Sequence, residues 1–216
     1  MKTLVLDFDG TIADTQYSII ETIQMTLKEL QLPLAKKEVI KELIGLPIKD
    51  TFEKAANISD SVIIGKAIDI YRKLYNDISL NTVQLFPGVK DALMQIHNSG
   101  IIIAVASSKG KDALEQLLEK MEVISYISVI LGEQDVIHKK PAPDMVLKIL
   151  EITGTLPNEA LVVGDTTYDI AMGQSAYCMT CGVTYGNHSR KLLQCKNPNY
   201  IIDNFGELVS IIQSLH

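Results

Sequence analysis

The sequence predicts an α/β fold: a Rossmann-like three-layer core with a mainly parallel sheet, interrupted by an inserted all-helical cap domain. From residue 87 onward, short apolar runs alternate with segments of helical periodicity, which is typical of parallel strands joined by right-handed crossovers. An earlier apolar run at residues 4–6 belongs to the same sheet, whereas the segment after it shows helical periodicity alone. These patterns predict a core domain formed by residues 1–13 and 83–216 and a cap formed by residues 14–82.

The composition is that of a folded, soluble protein. Of the 216 residues, 47% are hydrophobic, which is enough for a sizeable core. The net charge of -6 argues against nucleic-acid binding. No apolar run approaches the roughly 18 residues of a membrane span, and Asp7 and Asp9 break the apolar start that a signal peptide would need. We therefore expect a cytoplasmic protein with neither nucleic-acid nor membrane partners.

Two carboxylates follow the first predicted strand. Asp7 and Asp9 are two residues apart, so in an extended chain their side chains point to the same side. Gly10 then allows the backbone to turn without steric cost. Carboxylates held this close repel each other unless a cation lies between them. Because hard divalent cations prefer oxygen ligands, the pair predicts a Mg²⁺ site.

The cap segment contains four predicted amphipathic helices. In the first, apolar residues recur at spacings of three and four, and Pro33 is expected to end it. Its N-cap is Asp14 or Thr15, and that of the fourth helix is Ser59 or Asp60. The second helix is predicted over residues 36–44 and ends at Gly45. The third begins at Pro47 and runs to residue 56.

The core segment contains alternating helices and buried strands. The predicted helices cover residues 88–98, 111–121, 143–154, 167–175 and 205–215. The predicted strands cover residues 101–106, 129–131, 161–163, 178–183 and 200–202. Cys178 and Cys181 form a C-x-x-C pair, but positions three apart in a strand face opposite sides, so we expect both to pack rather than bind metal.

Polar residues follow several of these strands. In open parallel sheets, ligands bind outside the carboxyl ends of the strands, so such residues are candidates for a common site. They are Asp7 and Asp9 after the first strand, then Ser107, Ser108 and Lys109, then Lys140, and finally Gly164, Asp165 and Asp169. The cap leaves the core at the same edge and can cover it.

These groups resemble the four motifs of the haloacid dehalogenase superfamily of aspartate-nucleophile phosphotransferases, in the family's order. They are DFDGT at residues 7–11, the apolar run that ends in Ser107, KPAPD with Lys140, and GDTTYD at residues 164–169. With its helical cap, the chain is similar to the branch that includes phosphoglycolate phosphatases, pyrophosphatases and β-phosphoglucomutases. Mutases of this branch tend to carry Glu-Asp in the fourth motif, so Gly164-Asp165 resembles the phosphatases.

The resemblance implies a role for each motif residue. Asp7 matches the nucleophile that forms an aspartyl-phosphate, and Asp9 matches the general acid and base. Mg²⁺ would be bound by the side chains of Asp7 and Asp165 and by the backbone carbonyl of Asp9. Asp169 is then expected to support these ligands without binding the ion itself.

The phosphoryl group has its own predicted partners. Ser107 matches the family's phosphate-binding hydroxyl, helped by nearby backbone N–H groups of Ser108 and Gly10. Lys140 matches the cation that steadies both the nucleophile and the phosphoryl oxygens. In the cap, the loop with Gly45 and Lys49 is expected to touch the leaving group as the cap closes.

Other functions stay open on the sequence alone. The alternatives are a β-phosphoglucomutase-type mutase, a pyrophosphatase, a receiver-type signalling domain and a non-catalytic phosphate-binding protein. Asp9 and the cap insertion weigh against the receiver, because a receiver needs neither. The substrate is expected to be a small phosphorylated metabolite: phosphoglycolate, a sugar phosphate, a nucleoside monophosphate or pyrophosphate. The chain is expected to be a monomer or a homodimer.

Overall fold

The computed structural model describes residues 1–215, and it confirms the predicted fold class. Over this range the strands are β1 (Thr3–Leu6), β2 (Ala13–Asp14), β3 (Gln84–Leu85), β4 (Ile102–Ala106), β5 (Val129–Leu131), β6 (Ala160–Gly164), β7 (Met179–Val183) and β8 (Tyr200–Ile202). Six of them form a sheet in the order β5-β4-β1-β6-β7-β8, and every neighbouring pair is parallel. The first strand of the chain thus lies in the middle of the sheet.

The helices follow the predicted alternation. Within residues 1–215 they are α1 (Gln16–Glu29), α2 (Lys37–Leu43), α3 (Ile48–Ala55), α4 (Ser61–Thr82), α5 (Val89–Asn98), α6 (Lys111–Lys120), α7 (Asp144–Thr153), α8 (Thr167–Ser175), α9 (Arg190–Gln194) and α10 (Glu207–Ser214). The short helix α9 was not predicted. Helices α1 to α4 lie between β2 and β3, and we call this unit the cap. Across the described residues, none of the helices combines the length and the apolar character that crossing a membrane requires.

The strands β2 and β3 were also missed by the sequence analysis. They pair antiparallel, with Ala13 opposite Leu85 and Asp14 opposite Gln84. The backbone N–H of Phe86 adds a hydrogen bond to the carbonyl of Ile12 at 3.1 Å. Strands of two residues are too short to show an alternating pattern. This pairing brings together the two chain segments that enter and leave the cap.

The cap helices begin and end close to the predicted residues. Asp60 is the N-cap of α4, and its Oδ1 accepts hydrogen bonds from the N–H groups of Val62 and Ile63. Helix α1 ends at Glu29, before Pro33, and Gln31 then takes a left-handed conformation with φ of 56°. The proline is therefore not the residue that ends α1.

Both faces of the sheet are covered by helices, which gives the three-layer arrangement. On one face, Leu4, Leu6 and Cys181 belong to a large apolar core that extends into the cap. On the other face, Val5 and Cys178 belong to a second core that includes residues of α7 and α8. Both cysteines are buried free thiols. They lie on opposite faces of the sheet, as their spacing predicted.

Truncation of one buried side chain in a central strand tests this core. Ile103 of β4 is fully buried, and Ile103→Ala is expected to lower the free energy of unfolding by about 2–5 kcal/mol, because the cavity left behind adds to the lost burial. Urea unfolding followed by circular dichroism measures the loss. The control is Val62→Ala, at a side chain that is 64% exposed, where we expect a change within about 0.5 kcal/mol. Equal losses in the two variants would contradict this description of the core.

Candidate active site

The carboxyl ends of three adjacent strands place the main candidates together. β4, β1 and β6 are neighbours in the sheet, and they are followed directly by Ser107, Asp7 and Asp165. The three side chains are almost completely buried. Positions that are far apart in the chain thus meet at one edge of the sheet, as the alternating pattern predicted.

Lys140 lies at the centre of the acidic side chains. Its Nζ donates hydrogen bonds to Asp7 Oδ1 at 2.5 Å and to Asp169 Oδ1 at 2.7 Å. Burial by itself would lower the pKa of Lys140, but the carboxylates of Asp169 and Asp7 outweigh it and hold this pKa above its usual value. Lys140 therefore stays an ammonium group in the buried site.

Asp7 and Asp165 carry raised pKa values. Burial raises the pKa of Asp7 well above its usual value; Lys140 opposes this shift, and the neighbouring carboxylates add to it. Burial, with the charge of Asp169, raises the pKa of Asp165 to about 7, against hydrogen bonds from Asn187. Asp7, Asp165 and Asp169 each offer a carboxylate oxygen, and these oxygens lie within 4.8 Å of one another. The cluster therefore holds negative charge that a cation would relieve.

Asp165 is fixed by groups that the sequence analysis did not single out. Its Oδ2 accepts hydrogen bonds from the backbone N–H of Asn187 at 2.6 Å and from Asn187 Nδ2 at 2.8 Å. Thr11 Oγ1 lies 3.3 Å from Asp165 Oδ1 and donates to it. Asn187 follows β7, so the search for polar residues after each strand would have found it had it been extended to that strand.

Two glycines allow the backbone to approach Asp165. A Cβ atom at Gly10 would lie 2.2 Å from Asp165 Oδ2, and one at Gly186 would lie 2.3 Å from the same oxygen. Gly10 also has a φ of +87°, which side-chain-bearing residues rarely adopt. Gly10 is thus brought to the site, and its packing against Asp165 requires the absence of a side chain.

Asp9 points away from this cluster, towards Lys109. Lys109 Nζ lies 3.1 Å from Asp9 Oδ1 and donates a hydrogen bond to the hydroxyl of Tyr75 at 2.9 Å. Burial would lower the pKa of Lys109, but the charge of Asp9 reverses the effect and raises it. The Asp9 side chain is therefore not part of the acidic cluster, and through Lys109 it is connected to helix α4 of the cap.

The two serines after β4 have different surroundings. Ser107 Oγ accepts a hydrogen bond from the backbone N–H of Lys109 at 3.2 Å, which leaves its proton free to be donated. Ser108 Oγ donates to the carbonyl of Gly45 at 2.7 Å. Gly45 itself has a φ of +101°, and a Cβ there would lie 3.1 Å from Thr166 Cγ2. Gly45 is therefore brought next to the site, while the Ser108 hydroxyl joins core to cap.

Lys49 is not brought to the site. Its side chain is 59% exposed, and its Nζ lies 3.6 Å from Glu53 Oε1, one helical turn further on. The loop before α3 does reach the interior, because Gly45, Leu46 and Ile48 line the cavity described next. The part of the expectation that concerns this loop fits the structure, whereas the contact expected from Lys49 does not.

A cavity of about 490 Å³ lies between the cap and the core, and Asp9 and Lys109 form part of its wall. Further contacts hold the cap over the core around it. His188 Nδ1 accepts from the N–H of Thr167 at 3.0 Å, and its Nε2 lies 3.2 Å from the carbonyl of Glu42 in α2. A neutral imidazole with its proton on Nε2 satisfies both contacts. The structure therefore shows the cap in contact with the edge of the core that carries the acidic cluster.

Known proteins share this arrangement. The family model described as haloacid dehalogenase-like hydrolase matches residues 4–183. The "Probable phosphatase IndB" of Dickeya dadantii is 33% identical, with 100% of this chain and 95% of that protein covered. The phosphoglycolate phosphatase of Salmonella typhimurium is 27% identical, with 100% and 94% covered. The pyrophosphatase PpaX of Oceanobacillus iheyensis is 30% identical, with 98% and 97% covered.

Solved structures agree with these relatives. A protein from Haemophilus somnus, described as a predicted phosphoglycolate phosphatase, superposes with a TM-score of 0.92 at 25% identity, covering 99% of this chain and 98% of that one. The match therefore extends over the core and the cap together. Since the family model spans most of the chain and the relatives are named phosphatases, the chain is a phosphatase that belongs to the haloacid dehalogenase-like hydrolase family.

Proposed function

We propose that this protein hydrolyses small phosphate monoesters with Mg²⁺, through an aspartyl-phosphate formed on Asp7. The observation that carries the proposal is the position of Asp7, which is bound to Lys140 and lies beside the carboxylates of Asp165 and Asp169. Asp9, two residues on, borders the cavity between core and cap. Asp9, the proposed proton donor, thus stands at the wall of a space that can hold an ester.

In the first step, a carboxylate oxygen of Asp7 attacks phosphorus and the bond from phosphorus to the ester oxygen breaks. Lys140 Nζ binds Asp7 Oδ1 at 2.5 Å, whereas Oδ2 accepts a long hydrogen bond of 3.5 Å from Thr11 Oγ1, so we infer that Oδ2 is the attacking oxygen. The leaving alkoxide takes the proton of the Asp9 carboxyl group as it departs. Ser107, whose hydroxyl proton is free, is positioned to donate to a phosphoryl oxygen.

In the second step, the Asp9 carboxylate removes a proton from water, and the water oxygen attacks phosphorus. The bond from Asp7 to phosphorus then breaks, which releases inorganic phosphate and restores both aspartates. The ammonium of Lys140 stabilises Asp7 each time negative charge returns to it. If closure of the cap excludes bulk water, these electrostatic interactions would be strengthened.

The acidic cluster fits Mg²⁺. Its donors are carboxylate oxygens, the ligand type that Mg²⁺ prefers, and they are buried and close together. We infer that Asp7 and Asp165 bind the ion, with the backbone carbonyl of Asp9, and that Asp169 supports them through its bond to Lys140. When bound, Mg²⁺ would neutralise charge on the phosphoryl oxygens.

We also propose that residues 14–82 act as one cap domain on a core formed by residues 1–13 and 83–216. The pairing of β2 with β3 lies at this boundary, so it would hold the two connections together as the cap moves. The contacts from Ser108 to Gly45 and from His188 to Glu42 would then break and reform in each turnover.

The nucleophile and the metal are tested together. Asp7→Asn is expected to lower phosphate release from p-nitrophenyl phosphate by roughly 10³-fold or more, because no aspartyl-phosphate can form. EDTA should abolish activity of the unaltered protein, and added Mg²⁺ should restore it. The matched control is Asp14→Asn, an exposed residue of β2, which should retain activity. An active Asp7→Asn variant, or activity that ignores EDTA, would contradict the proposal.

The general acid is tested by changing the leaving group. Asp9→Asn should slow the first turnover of an alkyl phosphate by about 10²–10⁴-fold, since an alkoxide needs a proton to depart. The first turnover of p-nitrophenyl phosphate should be affected much less, because p-nitrophenolate departs without one. Rapid-mixing measurement of the leaving group isolates this step. An equal loss on both esters would argue that Asp9 has another role.

The glycine beside Asp165 is tested by a matched pair of variants. Gly186→Ala places a methyl group against Asp165 and should displace that carboxylate. The rise in melting temperature on adding Mg²⁺ should therefore be smaller than in the unaltered protein. Gly65→Ala, in the exposed part of α4 with nothing within 4 Å, should keep the full Mg²⁺ response and gain about 1 kcal/mol of helix stability. An unchanged Mg²⁺ response in Gly186→Ala would argue against the ligand role of Asp165.

A further inference from the structure

We propose that the cavity between cap and core accepts an uncharged leaving group of about nucleoside size, rather than a small anion such as glycolate or a second phosphate. This inference rests on the proposed phosphomonoesterase function, because it concerns the alcohol that leaves when phosphorus is attacked. It is carried by three features of the cavity: its volume, the pairing of its charges and the chemistry of its wall.

The cavity is larger than a small hydroxy acid needs. Its volume of about 490 Å³ lies within the range of about 300–1,000 Å³ that is typical of pockets for drug-sized ligands. Asp9, the proposed proton donor, is part of the wall, so the space is available to the leaving group. A glycolate or phosphate leaving group would leave most of it empty.

The charges of the wall are paired with each other. Among the described residues that line the cavity, the cations are Arg72 and Lys109 and the acids are Asp9, Asp112 and Glu133. Arg72 Nη2 lies 3.1 Å from Glu133 Oε1, and Lys109 Nζ lies 3.1 Å from Asp9 Oδ1. While Asp9 is ionised, a carboxylate or phosphate entering the cavity would meet no lysine or arginine of its lining without a carboxylate partner, and the Arg72–Glu133 pair stays intact when Asp9 carries the proton that it donates. The entering anion would also lie near carboxylates that repel it.

Among the acids of the cavity wall, Glu133 forms ion pairs with two cations. Besides Arg72, it binds Lys139, whose Nζ lies 3.1 Å from its Oε2. The Glu133 side chain is only 10% exposed, so its charge is poorly screened by water. Removal of this one carboxylate would leave Arg72 of the wall and the neighbouring Lys139 without it. The preference for an uncharged group therefore depends on Glu133.

The rest of the wall suits an uncharged molecule with an apolar body and polar edges. Its apolar part is formed mainly by Ile19, Ile44, Leu46, Ile48 and Tyr71. Its neutral polar part includes the amides of Asn76, Gln116 and Gln134. An amide both donates and accepts hydrogen bonds, so it matches hydroxyl groups and the edges of heterocyclic rings. A nucleoside combines these features, which makes a nucleoside 5′-monophosphate the natural probe.

The charge preference is tested with two esters of similar size. Phosphoglycolate carries a carboxylate at the position where 2-hydroxyethyl phosphate carries a hydroxymethyl group. We expect kcat/KM to be at least about tenfold higher for 2-hydroxyethyl phosphate than for phosphoglycolate. For a nucleoside 5′-monophosphate we expect kcat/KM to exceed that for 2-hydroxyethyl phosphate by at least about tenfold. Phosphoglycolate or pyrophosphate as the best substrate would overturn the inference and leave the phosphatase function standing. No phosphate release from any ester, p-nitrophenyl phosphate included, would overturn both.

A charge variant tests the role of Glu133. Glu133→Gln should raise the ratio of kcat/KM for phosphoglycolate to that for 2-hydroxyethyl phosphate by about tenfold, because Arg72 and Lys139 lose their carboxylate partner. A ratio is insensitive to partial loss of folded protein. The matched control is Glu115→Gln, on α6 outside the lining, where the carboxylate lies 3.9 Å from Lys111; its ratio should not change. An unchanged ratio in Glu133→Gln would overturn the inference.

Discussion

The buried contact of Lys140 with Asp7 and Asp169 is the interaction on which the rest of the site depends. An ammonium and two carboxylates from distant parts of the chain are removed from water together, with Lys140 Nζ bonded to both acids. Breaking such a pair by removing one partner typically costs about 3–5 kcal/mol, because it leaves a buried charge without compensation. The segment that carries Lys140 is therefore bound to the end of β1 and to the first turn of α8, and Asp7 is held in one position.

Much of this site could be predicted because a parallel sheet brings the ends of its strands together. Asp7, Ser107 and Asp165 each follow a strand with a clear apolar pattern, and their strands are neighbours in the sheet. Lys140 follows β5 by several residues, so its place was found from its motif and not from periodicity. Asn187 also lies after a strand, but nothing in its local sequence shows that it binds Asp165.

What escaped prediction depends on how the cap lies on the core. Ser108 was expected to help bind the phosphoryl group, and the structure adds a contact that was not expected, in which its hydroxyl donates to a carbonyl of the cap. Lys49 was expected, with its loop, to touch the leaving group, but the structure places its side chain towards solvent and Glu53. The partner of Ser108 lies in another part of the chain, so local spacing cannot identify it, whereas Glu53 is four residues from Lys49 on the same helix, a spacing at which side chains meet. The two-residue strands β2 and β3 were missed because pairing, not sequence pattern, defines them.

The core and the cap contribute different parts of the site, and Lys109 contacts both. The core holds the groups proposed to react, while α4 and the loop before α3 supply much of the wall that faces the leaving group. Lys109 contacts Asp9 on one side and Tyr75 of α4 on the other. Opening of the cap would remove the Tyr75 contact and expose the ion pair to water, which weakens its electrostatic interaction. Closure thus strengthens the ion pair and favours the carboxylate form of Asp9, the form proposed to take a proton from water in the second step.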